Sequence, residues 1–103
     1  MLNLKGKTVY VAGKITGEID FQTKFADATC RLKEYGAKVI NPCCLSYLDL
    51  DYEQYFPICF AMIDVSDTIY MLEDWRESNG ATKEYYYALS KGKEIIYAED
   101  NKV

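Results

Sequence analysis

Apolar and polar positions along this chain follow two periods, and the switches between them mark the elements. Lys7-Thr8-Val9-Tyr10-Val11-Ala12 is a β-rich run ending at Gly13, which predicts a first strand buried on both faces. Lys14 to Ile19 reads as a loop, with Asp20 placed to cap the helix that follows. Phe21, Phe25, Ala28, Leu32 and Tyr35 recur at alternating steps of four and three, one stripe of an amphipathic helix, and Gly36 is its expected stop. Ala37 to Asn41 predicts a second strand closed by Pro42, and residues 43–51 a connection of weak periodicity. Tyr52, Tyr55, Phe56, Cys59, Met62 and Ile63 form a second helical stripe. Pro57, tolerated only in a first turn, sets that helix's start near residues 53–56. Asp67 to Leu72 reads as strand three. Residues 79–91 read as helix three, with Ala81, Tyr85, Ala88 and Leu89 facing the sheet and Gly92 as the stop. Glu94 to Ala98 is strand four, and Glu99 to Val103 a polar tail.

The order β-α-β-α-β-α-β with right-handed crossovers places helices on both faces of a parallel sheet. The expected fold is therefore α/β, a small doubly wound, Rossmann-like or flavodoxin-like sheet of about four strands in order 2-1-3-4 with three helices. Sheets of this kind take ligands at the carboxyl ends of the strands, at the switch point between strands one and three. That point lies between the loop after Ala12 and the loop after Leu72.

Composition narrows the function classes. A chain of 103 residues, half of them hydrophobic, suits one domain over residues 1–103 with a single core. The net charge is −4 with no basic block, which argues against nucleic acid as a partner. No apolar run approaches a membrane span, and Met1 to Gly6 is too polar and short for a signal peptide, so a cytoplasmic setting is expected. The four cysteines show no CxxC spacing, and the chain has no histidine. Buried or half-buried free thiols are expected rather than a zinc or redox centre. No cofactor or metal is called for, and histidine acid–base chemistry is excluded.

Candidate chemistry collects at the switch point. Gly13-Lys14-Ile15-Thr16-Gly17 could cradle a sugar or phosphate through backbone N–H groups, Lys14 and Thr16, or could simply be a tight turn. Its glycine spacing fits neither a dinucleotide fingerprint nor a Walker A loop. Ser78-Asn79-Gly80-Ala81-Thr82-Lys83-Glu84 opens helix three at a strand-to-helix turn. Its N–H groups and positive dipole end can meet an anion, and Glu84 falls on the flank of the sheet-facing stripe, between Ala81 and Ala88. Glu84 is either a half-buried functional carboxylate or one paired with Lys91, Lys83 or a backbone donor. Asp74 could hydrogen-bond ribose hydroxyls and Trp75 could stack on a base, or Glu73 to Glu77 could be a solvated loop with one anchoring aromatic. Asp67, at the opposite end of strand three, reads as structural. Tyr85, Tyr86 and Tyr87 point three ways around the helix, so at least one should be exposed, as at a subunit interface.

With these residues in view, the chain resembles the nucleoside 2-deoxyribosyltransferase superfamily, and more closely a poorly characterised branch of small bacterial and phage proteins. The resemblance is carried by Tyr10 to Gly17, Val39 to Pro42, Cys59, Met62-Ile63 and Ser66-Asp67. It continues through Ile69 to Leu72, Asp74-Trp75, Ser78, Gly80-Ala81, Glu84, Ala88 and Gly92-Lys93. In the transferases it resembles, the glutamate of a G-x-x-x-E motif is the nucleophile, which Gly80 and Glu84 match. The similar 2′-deoxynucleoside 5′-phosphate N-hydrolases place a phosphate-contacting serine two residues before that glycine, which Ser78 matches, and hold substrate with the loop after strand one. The second carboxylate of that family falls at Cys59 here, its glycine-aromatic pair is replaced by Tyr85-Tyr86, and its C-terminal segment has no expected counterpart after strand four.

The resemblance implies N-glycosidic bond chemistry on a nucleoside or nucleotide, by deoxyribosyl transfer or hydrolysis. Glu84 would form a glycosyl-enzyme intermediate, and Tyr10, Gly13, Lys14, Ile15, Thr16, Asp74, Trp75, Ser78, Gly80 and Ala81 would contact substrate. It also implies a homo-oligomer, at least a dimer. The alternative from a different class is a module that binds a nucleotide or an ADP-ribose-like ligand in the same pocket without turnover.

Overall fold

The computed structural model describes residues 3–100. Its sheet has four parallel strands, β1 (Thr8–Ala12), β2 (Lys38–Ile40), β3 (Thr68–Met71) and β4 (Glu94–Tyr97), in the order β2-β1-β3-β4. Three helices connect them, α1 (Phe21–Glu34), α2 (Tyr55–Asp64) and α3 (Asn79–Ser90). The expected fold class and strand order are those observed. In register, Tyr10 lies opposite Ile40 on one side and Ile69 on the other, and Met71 lies opposite Tyr97. The expected connection at 43–51 begins in a short 3-10 turn over Pro42–Leu45, and further such turns span Tyr52–Gln54 and Trp75–Glu77. The polar tail is described only as far as Asp100, in a turn over Ala98–Asp100; residues 1–2 and 101–103 lie outside the described residues.

Alternation along β1 and β3 sorts the core into two layers. Val9, Val11, Tyr70 and Leu72 pack with Phe25, Ala28 and Leu32 of α1 on one face. Tyr10, Ala12, Ile69 and Met71 pack with Cys59 and Ile63 of α2 and Ala81 and Ala88 of α3 on the other. Strand side chains point to opposite faces in turn, so a central strand apolar at nearly every position must be covered on both sides.

The helix ends follow local chemistry. Gly36 takes φ +95°, and its N–H and that of Ala37 return to the carbonyls of Lys33 and Leu32. A Cβ at Gly36 would also fall 2.9 Å from Lys5 Cα, so the turn excludes a side chain on two counts. Asp20 occupies the N-cap position of α1, but its side chain makes no capping hydrogen bond, contrary to the expected cap. Pro57 sits in the first turn of α2, where its missing N–H costs nothing. Asp67 is structural, as expected: its carboxylate accepts the Thr8 N–H at 2.8 Å and its own N–H donates to the Thr8 carbonyl.

Helix α3 is rotated relative to the expected stripe. Ala81, Glu84 and Ala88 are its buried residues, while Leu89 is 50% exposed. Truncating the two leucines separates these faces. Leu32→Ala, in the fully packed α1 layer, is expected to cost roughly 2–4 kcal/mol in urea unfolding. Leu89→Ala is expected to cost less than about 0.5 kcal/mol. Similar losses for the two would contradict the observed rotation of α3.

Candidate active site

The two loops of the switch point close on each other at Gly13. A Cβ there would lie 2.7 Å from Leu72 Cδ1, so only glycine allows the strand ends to approach this closely. The Asp74 carboxylate then ties the loops together. It accepts the Lys14 N–H at 3.0 Å and pairs at 3.3 Å with Lys24, which also reaches Glu18 at 2.9 Å. Beside the first loop a cavity of about 560 Å³ opens between that loop, α1, the approach to α2 and the start of α3. Gly13, Ile15 and Thr16 line it from the first loop, and Ser78, Gly80, Ala81 and Glu84 from α3. Aromatic rings of Phe21, Phe25, Tyr52, Tyr55 and Phe56 form much of its wall.

Glu84 is the buried carboxylate that lines this cavity. Its side chain is on the buried face of α3, not the flank, and is 8% exposed. It is paired with none of Lys83, Lys91 or a backbone donor. Instead the Tyr10 hydroxyl, fully buried on β1, donates to Glu84 Oε2 at 2.5 Å. Burial pushes the carboxyl up from its ordinary 4.5 to about 7, against the opposing pull of hydrogen bonds from Tyr10 and Cys59. Tyr10 is itself raised well above the ordinary tyrosine value, first by burial and then by the Glu84 charge, so it stays a donor. Cys59, also lining the cavity, has its thiol pushed up to about 11 by burial and then by Glu84. The arrangement is a carboxylate that titrates near neutrality, held by the Tyr10 hydroxyl and bordered by a neutral thiol.

Other expected contacts lie elsewhere. Tyr10 does not line the cavity; it supports Glu84 from beneath. Asp74 faces a second, smaller depression beside Lys24 and Arg31, on the α1 side. Trp75 is buried rather than offered to a base: its ring stacks on Tyr85 at 4.5 Å, with the Arg76 guanidinium 4.6 Å from its centroid. Lys14 keeps its backbone in the first loop, but its ammonium lies 4.0 Å from Glu77. Ser78 caps α3, accepting the Ala81 N–H at 3.1 Å. Of the three consecutive tyrosines, Tyr86 is the exposed one, Tyr85 stacks on Trp75 and Tyr87 on Phe60.

The thiols are free, but only in part buried: Cys59 is buried and Cys43 half-buried, whereas Cys30 and Cys44 are exposed because they fall on outward faces. Glu53 and Asp64 do not reach the cavity, and Asp64 accepts a hydrogen bond from Tyr87 at 2.7 Å. Among the described residues no group of three or more potential ligands could hold a metal, and no helix is long and apolar enough to cross a membrane.

The aromatic wall is not marked as a site by the sequence pattern. Tyr52, Tyr55 and Phe56 were legible only as the start of a helical stripe, and Phe21 and Phe25 only as core. The usable signal was the crowding of rings at the end of α2 nearest the switch point.

Comparison with known proteins bears on the fold and the family. No curated protein matches the chain. Among solved structures it is similar to a 2-desoxiribosyltransferase from Leishmania mexicana, with a TM-score of 0.70 and 19% identity over 88% of this chain. The chain spans 63% of that structure's length, and the likeness is one of fold. The family model described as Domain of unknown function (DUF4406) matches residues 7–97, from the residue before β1 to the last residue of β4, and the chain belongs to the DUF4406 family.

Proposed function

We propose that this protein acts on the N-glycosidic bond of a nucleoside or nucleotide, by deoxyribosyl transfer or hydrolysis, with Glu84 as nucleophile. The observation that carries the reading is a nearly buried carboxylate on the floor of an aromatic-walled cavity, titrating near 7 and oriented by Tyr10. The shared fold with a protein named for 2-deoxyribosyl transfer supports it. In the proposed step Glu84 Oε1 attacks the anomeric carbon while Oε2 keeps the Tyr10 hydrogen bond. The C–N bond breaks, its electron pair passes to the base, and the base takes a proton. Water or a second base then displaces the carboxylate from the sugar. The flat base suits the cavity's aromatic rings, which can sandwich it and exclude water from the reacting carbon.

A second reading rests on Cys59. A thiol at about 11 is a poor donor to a leaving base, which favours a module that captures a nucleotide or ADP-ribose-like ligand without turnover. The two readings part in one assay, in which deoxynucleosides and their 5′-monophosphates are incubated with the protein and free base is measured. Base release that falls by about 10³-fold or more in Glu84→Gln supports the enzyme. Ligand binding with no base release supports the module.

For the enzyme, kcat/KM should rise with pH along a limb centred at about 7, because only the carboxylate attacks. Tyr10→Phe removes a hydrogen bond that favours the charged form, so the limb should move to higher pH. A limb unmoved by Tyr10→Phe would show that another group titrates.

The same burial has a signature in stability. Glu84 holds its proton to about 7 in the folded chain, against an ordinary value of 4.5. Between those values the native state binds the extra proton, so stability falls as pH rises. Relative to the native protein, Glu84→Gln should therefore gain stability across that window, by on the order of 3 kcal/mol once pH exceeds the upper value. Urea unfolding of both proteins from pH 4 to 8 measures the difference, and parallel pH profiles would remove Glu84 as the titrating group.

A further inference from the structure

The cavity lining presents hydroxyls and an amide to an anion, but no cationic side chain. Among the described residues that line it there is no lysine or arginine, and its charged side chains are Glu77 and Glu84. Lys14 is the cation of the first loop, but its ammonium lies 4.0 Å from Glu77 Oε1 at the cavity mouth. Lys83 is drawn to the ring faces of Phe56 and Tyr52, 4.7 and 5.9 Å from their centroids. The Ser78 hydroxyl oxygen accepts the Ala81 N–H, so one N–H of the first turn of α3 is already bonded.

A phosphate dianion entering here would meet a carboxylate at the mouth and another at the floor, where apolar walls weaken screening. From this we infer that Glu77 is a specificity-determining residue: it neutralises Lys14 and turns away a 5′-phosphate, so that the site takes an uncharged nucleoside in preference to its monophosphate. The inference rests on the nucleoside reading above and refines it. It also separates the two substrate classes that the Ser78 resemblance leaves together, since Glu77 sets a carboxylate immediately before that serine.

The test is calorimetric titration of the full chain with 2′-deoxynucleosides and with their 5′-monophosphates, at low and at high salt. The nucleoside is expected to bind at least about tenfold more tightly than its own monophosphate at low salt. Glu77→Lys removes the repelling carboxylate, frees Lys14 and adds a cation, so the preference should narrow by about tenfold or reverse, with Glu77→Gln intermediate. The change should shrink at high salt, as an electrostatic effect must and a packing effect need not. A monophosphate bound as tightly as the nucleoside, or a ratio unmoved by Glu77→Lys, overturns the role of Glu77 while leaving the nucleoside reading standing. Binding of neither class overturns both.

Discussion

One hydrogen bond joins the middle of the sheet to the third helix, and the site is built around it. Tyr10 on β1 and Glu84 on α3 are 74 residues apart in sequence, and both are buried where they meet. A carboxylate placed so deep loses most of its hydration, and the phenol restores only part of what water supplied. The contact forms because Ala81 and Ala88, three residues before and four after Glu84, are small enough to let α3 lie close against the strands. Removing the carboxylate would leave the Tyr10 hydroxyl buried without this partner, a penalty of about 1–3 kcal/mol for such a group. Docking of α3 and the chemistry of Glu84 are therefore one structural fact.

The loops depend on the same sheet. Because Leu72 donates its N–H to the Ala12 carbonyl, the ends of β1 and β3 stay paired up to the point where the chain splits toward opposite faces. Gly13 allows that approach, and Asp74 secures it by holding the Lys14 N–H. Asp74 thus shapes the cavity from behind. A ligand would feel it through the position of Ile15 and Thr16, not through direct contact.

Strands and helix stripes were legible because each period is local: alternation in β1 and steps of three and four in α1 need no distant information. Strand order was legible because the crossovers of parallel strands have one hand. The rotation of α3 was not. Counting apolar side chains selects Tyr85 and Leu89 and passes over Glu84, since a buried carboxylate looks polar until its partner is known, and that partner lies on a distant strand. Trp75 was open between a base-stacking ring and an anchoring aromatic, and its burial against Tyr85, one turn into α3, is of the anchoring kind. The missing cap at Asp20 is a matter of side-chain choice that sequence position alone does not decide.

Cys59 explains how a single carboxylate can occupy this floor. A second carboxylate in its place would set a like charge beside Glu84 and push its proton affinity still higher, so that the pair would share a proton near neutrality. A thiol held at about 11 stays neutral beside Glu84 and lets that group ionise alone. The consequence runs through the proposed chemistry. If Glu84 attacks as proposed, the proton for the departing base would have to come from water or from the base's own protonation equilibrium. Under that proposal, bases that leave readily, or that carry a proton before the bond breaks, would be the substrates on which a site of this composition has an advantage.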